Sequence, residues 1–450
     1  MKRLQLYRML TCGCAFLAAM GLFAQTSQEM AAYFTQRIEH PSTFVPAQGA
    51  SLSPEGLDAA RANVWAAWQE ANARLDEPRL PALRPLTADT KGALVLPDSL
   101  EPSATMDYYW GSKGEARPAA GWPVYIYLHG SGPRDREWSN GLRFATSLFE
   151  DAPSAYFVPR IPNEGGYYRW WQRSKQWAWS WLLRQLMLQE AVDAHKIYVF
   201  GISEGGYGSQ RLASFYADYW AAAGPMAGGE PLKNAPAENC RQIGFSLLTG
   251  AEDTGFYRNE LTGLVQEAFD SLQAQHPDAY RHRIQLLPGQ GHNFDYRPTT
   301  PWLREFERNP WPAEFSWEDF EMDGWHRTGF YNLVVKRRPD EHLRTRYDVE
   351  IAGNRIDLAI SDVHYQTVKV DPKWGIELDF ARTYTPATGG ELTLYLNEHL
   401  VDLEREVTVY VNGRQVYQGR VECGVGPMME SLGTFYDRER IFPAAIDITY

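Results

Sequence analysis

Through the middle of the chain apolar residues fall in short unbroken runs, and towards its end they alternate with polar ones. Runs such as Trp122 to Leu128 (WPVYIYL) and Ile197 to Phe200 (IYVF) are apolar at every position, as strands buried on both faces must be. Similar runs predict strands at Met106 to Trp110, Ala155 to Val158, Trp220 to Gly224, Ile243 to Leu248 and Arg283 to Leu287. Stretches of helical period lie between them: near Gly141 to Glu150, from about Gln176 to Asp193, from Gly206 onwards, and from Phe256 to Gln275. Strands alternating with helices in this way predict a doubly wound, mostly parallel α/β sheet.

The texture changes after Asn309 and Pro310. Alternating runs at Tyr331 to Lys336, Tyr347 to Ile351, Arg355 to Ile360, Thr367 to Val370, Gly375 to Phe380, Glu391 to Leu396 and Val407 to Val411 are separated by turn residues, among them the hairpin signal Asn412-Gly413. A smaller, mostly-β C-terminal domain is expected, built as a sandwich. Ahead of the α/β region, Gly56 to Leu75 places Val64, Ala67, Trp68, Ala71 and Leu75 on one helical face, and a proline-rich connector follows. The expected division is a leader over residues 1–24, a partly helical extension over 25–104, the α/β domain over 105–309 and the β-rich domain over 310–450.

The first residues, MKRLQLYR, precede an apolar run from Met9 to Phe23 and a small residue, Ala24, after which cleavage is expected. This is the pattern of a secretory signal peptide, so a secreted or periplasmic protein is expected. Cys12 and Cys14 stand at the start of the run, whereas a lipoprotein needs its cysteine at the end. No later stretch approaches the roughly 18 consecutive apolar residues of a membrane helix. The formal charge is −12, and loss of Lys2, Arg3 and Arg8 with the leader makes it more negative still. Such a chain is a poor partner for nucleic acid. Cys240 and Cys423 would be the only cysteines left, enough for one bridge if geometry allows it.

The candidate chemistry centres on Lys196 to Gln210, KIYVFGISEGGYGSQ, where a buried strand runs into G-x-S-x-G and then a helix. Glycines at 201 and 205 let strand and helix backbones approach closely around Ser203, the candidate nucleophile. A serine hydroxyl needs an oriented base, and two later strand ends supply partners. Ile243 to Leu248 leads into Asp253, and Arg283 to Leu287 leads through Gly289 and Gly291 into His292. In an open parallel sheet these ends share one edge, so the three can converge. Glu252 competes with Asp253 for the acid position, with Asp295 a more distant rival. The backbone NH of Glu204 would be the first oxyanion donor, and that of Ser131 or Gly132, after the early strand, the second. His129, in the same turn, precedes the serine and is expected to serve structure. The Glu204 carboxylate would oppose catalysis near an oxyanion, so it is expected to point away from the pocket.

The stretches YIYLHGSG, VDAHKIYVFGISEGGYGSQRLA, LLTGAED and LPGQGHNFDY, in this order, resemble the α/β-hydrolase superfamily over about residues 105 to 307. The likeness is greatest to its secreted esterases of the polyhydroxybutyrate-depolymerase and dienelactone-hydrolase-like kind. It implies an α/β-hydrolase fold and a serine hydrolase cleaving carboxylic esters through Ser203, His292 and Asp253, and it does not specify the substrate. VTVYVNGRQVYQG also resembles a β extension found after such domains in some secreted bacterial hydrolases. A peptidase of the prolyl-oligopeptidase type shares the residue order, but the region before residue 105 is short and carries no propeller repeat. A non-catalytic polysaccharide-binding protein on the same scaffold is the alternative from another class, and the complete set of three residues argues against it.

Gly165 to Leu182, GGYYRWWQRSKQWAWSWL, is rich in aromatics. It leaves the strand at Ala155 to Val158, so Tyr167, Tyr168, Trp170 and Trp171 are expected at the mouth of the site, where they would suit a sugar ring or an aryl acyl group. Trp177 and Trp181, one helical turn apart, fit the buried face of the next helix. No metal-ligand cluster or phosphate loop is present, and no cofactor is implied. The C-terminal histidines His326, His342, His364 and His399 occupy no strand-end motif, so that region is expected to be accessory to chemistry.

Overall fold

The computed structural model describes residues 27–40, 46–47 and 49–450; the expected leader lies outside the described residues. A helix, α1 (residues 27–39), and α2 (Leu57–Arg74) precede an eight-stranded sheet. Its elements in chain order are β1 (Lys91–Val95), β2 (Thr105–Lys113), β3 (Trp122–Leu128), α3 (Arg134–Arg143), β4 (Ser154–Pro159), α4 (Arg173–Leu188), β5 (Val192–Ile202), α5 (Glu204–Phe215), β6 (Ala222–Met226), β7 (Gly244–Gly250), α6 (Arg258–Gln275), β8 (His282–Leu287) and α7 (Thr299–Leu303).

The strand order is β1-β2-β4-β3-β5-β6-β7-β8. β1 and β2 are antiparallel to each other and β2 is antiparallel to β4, while every pair from β4 to β8 is parallel. This order and the helices between the strands fit the α/β-hydrolase fold. β3, β4, β6 and β7 are buried at every position, which accounts for their unbroken apolar runs.

Two elements depart from the sequence reading. β1 lies in the proline-rich connector; it is a mostly exposed edge strand and has no apolar run to reveal it. α3 begins earlier than expected, at Arg134, because Gly141 sits inside the helix. A Cβ there would come within 2.9 Å of Val158 Cγ1, so this glycine marks close packing on the sheet rather than a helix start.

The C-terminal strands are β9 (Glu314–Asp319), β10 (Gly329–Phe330), β11 (Leu333–Arg337), β12 (Arg344–Ala352), β13 (Arg355–Val370), β14 (Glu377–Pro386), β15 (Glu391–Leu396), β16 (Glu406–Val411) and β17 (Arg414–Arg420), followed by α8 (Val425–Phe435) and β18 (Ala444–Thr449). They form one sheet of order β10-β11-β15-β18 and another of order β17-β16-β13-β12-β9, with β14 paired to β13. Asn412 and Gly413 both take positive φ in the β16–β17 hairpin, as a tight two-residue turn requires. The two runs read as separate strands, at 355–360 and 367–370, belong to one sixteen-residue strand, β13. The polar residues between them pair with β14 in a largely exposed antiparallel ribbon, and so break the apolar pattern without breaking the strand.

The apolar core runs without a gap from the α/β sheet into the C-terminal sheets. Phe215 at the end of α5 packs edge-on against Phe320, with centroids 5.4 Å apart, and the Tyr219 hydroxyl donates to the Phe435 carbonyl at 2.8 Å. A buried ion cluster lies in the same seam. Asp218 accepts from Arg327 and Arg440, while Asp437 accepts from Arg440 and Arg308.

Candidate active site

Ser203 sits between β5 and α5 with φ 59° and ψ −113°, a left-handed conformation that a non-glycine residue adopts at a cost of about 1 to 3 kcal/mol. The surrounding backbone imposes it. A Cβ on Gly205 would overlap the Leu128 carbonyl, and one on Gly201 would meet both that carbonyl and the carbonyl of Gly205. Strand and helix therefore cross more closely than any side chain permits, and the serine is pushed out at the turn. Its NH donates to the Met226 carbonyl at 2.9 Å, which ties the turn to the end of β6.

The loops after β7 and β8 are knitted together. Ala251 NH donates to the Leu287 carbonyl at 2.9 Å and Glu252 NH to the Gln290 carbonyl at 2.9 Å, which sets Asp253 beside His292. His292 Nδ1 lies 2.7 Å from Asp253 Oδ2, and His292 Nε2 lies 3.0 Å from Ser203 Oγ. A carboxylate can only accept, so the ring proton belongs on Nδ1, and Nε2 is left to accept from the serine hydroxyl. Glu252 is exposed, and Asp295 is engaged with Arg297 on the surface.

Arg258, at the first position of α6, was not singled out by the sequence. It donates Nε to Asp253 Oδ2 and Nη2 to Asp253 Oδ1, each at 2.8 Å, and Nη1 to the Tyr207 hydroxyl at 3.3 Å. Burial works to raise the Asp253 carboxyl, but the hydrogen bonds from Arg258 and His292 outweigh it and hold the group below the usual carboxylate range. An arginine five residues after an aspartate looks like any helix-surface charge. Only the fold turns it inward.

No family model matches the chain, and no curated protein matches it in sequence. Solved structures similar to part of it include a thermostable esterase, 18% identical with a TM-score of 0.37 over 49% of this chain and 64% of that one. A ferulic acid esterase from Anaeromyces mucronatus is 13% identical with a TM-score of 0.32, covering 49% of this chain and 89% of its own. A carboxylesterase from Mesorhizobium loti is 17% identical with a TM-score of 0.33, covering 48% and 98%. This chain thus spans less than two thirds of the thermostable esterase. At identities and TM-scores this low, the functional reading rests on the site's own residues.

On the oxyanion side, the turn after β3 approaches Ser203 closely: a Cβ on Gly130 would come within 3.3 Å of Ser203 Cβ. Ser131 and Gly132 follow Gly130 in this turn, and Glu204 follows Ser203 at the start of α5. The Gly132 amide also lies beside the Tyr168 hydroxyl and partly offsets the effect of burial on it. His129 is wholly buried, accepts from Ile161 NH at 3.1 Å through Nε2, and lies 2.8 Å from the Gly130 carbonyl through Nδ1. Burial holds its pKa down at about 4, so it stays neutral within this turn.

The aromatic stretch does not form the expected wall. Trp170 is fully buried and donates Nε1 to the His129 carbonyl at 3.0 Å, while Tyr168 is buried and donates to the Gly130 carbonyl at 2.8 Å. Both brace the turn after β3 from behind, because their polar tips find backbone acceptors there. Tyr167 is exposed beside Lys175 and does not line the cleft that Trp171 and Glu204 line. Of the four, Trp171 alone faces that cleft, with the Arg211 guanidinium 4.0 Å from its ring centroid.

Glu204 lines this cleft, whose lining includes neither Ser203 nor His292. Burial raises its pKa to about 7, with Glu230 adding to the rise and Arg169, 3.5 Å away, and Arg211 opposing it. The cleft, about 480 Å³, is lined in part by Gly375 and Ile376 from the β13–β14 loop and by Glu377 at the start of β14. The C-terminal region therefore builds part of the cleft and is not remote from it. Its histidines stay elsewhere: His364 bonds Thr385 on the ribbon, and His399 stacks on Trp311. Cys240 and Cys423 are both free, and Cys240 is buried. Among the described residues no group of His, Cys, Asp or Glu could hold a metal ion, and no helix is long and apolar enough to cross a membrane.

Proposed function

We propose that this protein is an exported serine hydrolase that cleaves carboxylic esters through an acyl-enzyme. The observation that carries the reading is the hydrogen-bonded line from Ser203 Oγ through His292 to Asp253, with the serine held in a strained turn at the sheet's edge. In this reading Ser203 Oγ attacks the ester carbonyl as His292 Nε2 takes its proton. Asp253 keeps the imidazole in the right tautomer and stabilises the imidazolium. The backbone NH of Glu204 and that of Ser131 or Gly132 hold the developing oxyanion, aided by the N-terminus of α5. His292 then protonates the leaving alcohol, and water, activated by the same ring, releases the acid. Export is supported by the leader pattern over residues 1–24.

A panel of p-nitrophenyl acetate, methyl ferulate, an acetylated xyloside and a prolyl p-nitroanilide tests the bond cleaved. Ester turnover that disappears in Ser203→Ala is the expected result. Cleavage of the anilide alone would move the assignment to a peptidase.

A further inference from the structure

The cleft lined by Glu204, the residue after Ser203, has features that hydrolysis of a simple ester does not call on. Glu204 is 8% exposed, lines the cleft, and its Oε1 has no hydrogen-bond partner among the described residues. A buried carboxyl oxygen left unpaired costs free energy unless a ligand supplies a donor. Arg169 lies 3.5 Å from the other Glu204 oxygen, Oε2, and does not reach Oε1 within hydrogen-bond distance. Arg211 is committed to Glu230 through two hydrogen bonds of 2.8 and 3.0 Å, and Asn234 binds the same carboxylate at 3.0 Å.

At the rim two large aromatics stand in the open. Phe256 is 46% exposed and Trp374 52% exposed, with ring centroids 4.9 Å apart. They come from different parts of the fold, and each is fixed in place. Phe256 and Tyr257 both adopt left-handed φ, of 53° and 60°, conformations that store strain in non-glycine residues. The Tyr257 hydroxyl donates to Asp371 Oδ1 at 2.7 Å, and the other Asp371 oxygen accepts from Trp374 NH. Lys233 holds Glu377 at 2.9 and 3.0 Å, pinning the far end of the loop to the α/β layer. The β13–β14 loop is thereby anchored with its tryptophan beside the cleft.

The charges select the occupant. An anion in the cleft would meet Glu204, Glu230 and Glu377; a cation would meet Arg169 and Arg211. A neutral ligand rich in hydroxyl groups meets neither difficulty, since each hydroxyl both donates and accepts. A ring with an apolar face adds a surface that packs on aromatics.

We propose that this cleft is a saccharide subsite, in which the Glu204 carboxyl turns its unpaired oxygen to accept from a sugar hydroxyl and the Phe256–Trp374 pair packs against a sugar ring. The inference rests on the serine-hydrolase reading and identifies the sugar part of the ester as what the cleft holds. Binding is measured without turnover, by calorimetry and saturation-transfer NMR on Ser203→Ala, with xylohexaose, cellohexaose and mannohexaose as probes and ferulic acid as the aryl control. At least one oligosaccharide should bind, and its affinity should fall about tenfold or more in Trp374→Ala and in Glu204→Gln made on the same background. Circular dichroism checks that each variant is folded. Absence of binding by all three oligosaccharides, binding unchanged by both substitutions, or binding of ferulic acid alone would overturn the proposal. Serine labelling of the parent protein is read separately, so a failed subsite and a failed hydrolase give different results.

Discussion

Asp253 Oδ2 is shared between two donors: His292 Nδ1 at 2.7 Å and Arg258 Nε at 2.8 Å, with a second Arg258 nitrogen on Oδ1. The guanidinium fork fixes the plane of the carboxylate and so the direction from which it meets the imidazole. Arg258 is thus a positioning residue. Arg258→Met should lower kcat by about 10- to 100-fold, the range seen when a supporting partner of a functional ligand is lost. Arg258→Lys should recover part of the loss, because it keeps the charge without the fork. Steady-state kinetics on both variants decide it, and parent-like activity in Arg258→Lys would show that the fork has no role.

Asp253 and Glu252 are adjacent, yet only the former reaches His292. Asp253→Asn should lower kcat by on the order of 10⁴ with the fold intact, because an amide favours the wrong imidazole tautomer. Glu252→Gln, on an exposed side chain, should leave kcat/KM within about twofold of the parent, as surface substitutions usually do for stability. Kinetics with circular dichroism as the folding control test both. A severe loss in Glu252→Gln with a mild one in Asp253→Asn would reverse the roles.

Glu204 carries a pH signature. Burial raises its carboxyl to about 7 in the folded protein from its ordinary 4.5, so the folded state keeps a proton that the unfolded chain has released. Stability therefore falls as pH rises from 4.5 towards 7, and the deficit persists above that pH. Glu204→Gln removes the penalty, and at pH 8 it should be more stable than the parent by on the order of 2 to 3 kcal/mol. Urea melts at pH 5 and pH 8 measure it. A difference that does not grow with pH would contradict the assigned burial.

Behind α5, Arg440 is fully buried between Asp218 and Asp437. Arg440→Ala leaves both carboxylates short of a partner in the seam between the α/β layer and the C-terminal sheets. It should destabilise by about 3 to 5 kcal/mol, as breaking a buried ion pair does. Asp437 gives the pH dependence. Burial alone would raise its pKa, but Arg308 and Arg440 bring it down to about 2 from 3.8. Its contribution is present above pH 3.8 and is lost as pH falls towards 2. Chemical denaturation of Arg440→Ala at neutral pH, and of the parent from pH 5 to pH 2, measure the two effects.

Ser203, Asp253 and His292 could be picked out in the sequence because each follows a strand the sequence predicts, and a parallel sheet brings such ends to one edge. The cleft could not. Its walls come from Arg169 and Trp171, from Glu204 to Arg211, and from Gly375 to Glu377, segments that the chain pattern does not link. The aromatic run showed how much ring surface was present without showing which rings faced inward. Trp170 and Tyr168 turn inward because the backbone of the β3 turn offers acceptors to their polar ends. The β13–β14 ribbon was read only in pieces, at 367–370 and 375–380, because exposed polar pairs replace the alternation by which strands are recognised.

The central claim is that Ser203 is a nucleophile activated by His292. Incubation with a fluorophosphonate probe, followed by peptide mass spectrometry, tests it most directly. The account predicts a single adduct on the peptide carrying Ser203, none in Ser203→Ala, and labelling slowed by about 10³-fold or more in a folded His292→Ala, since the hydroxyl is a weak nucleophile without its base. An adduct on another residue, or no adduct on Ser203 in the folded parent protein, would contradict it.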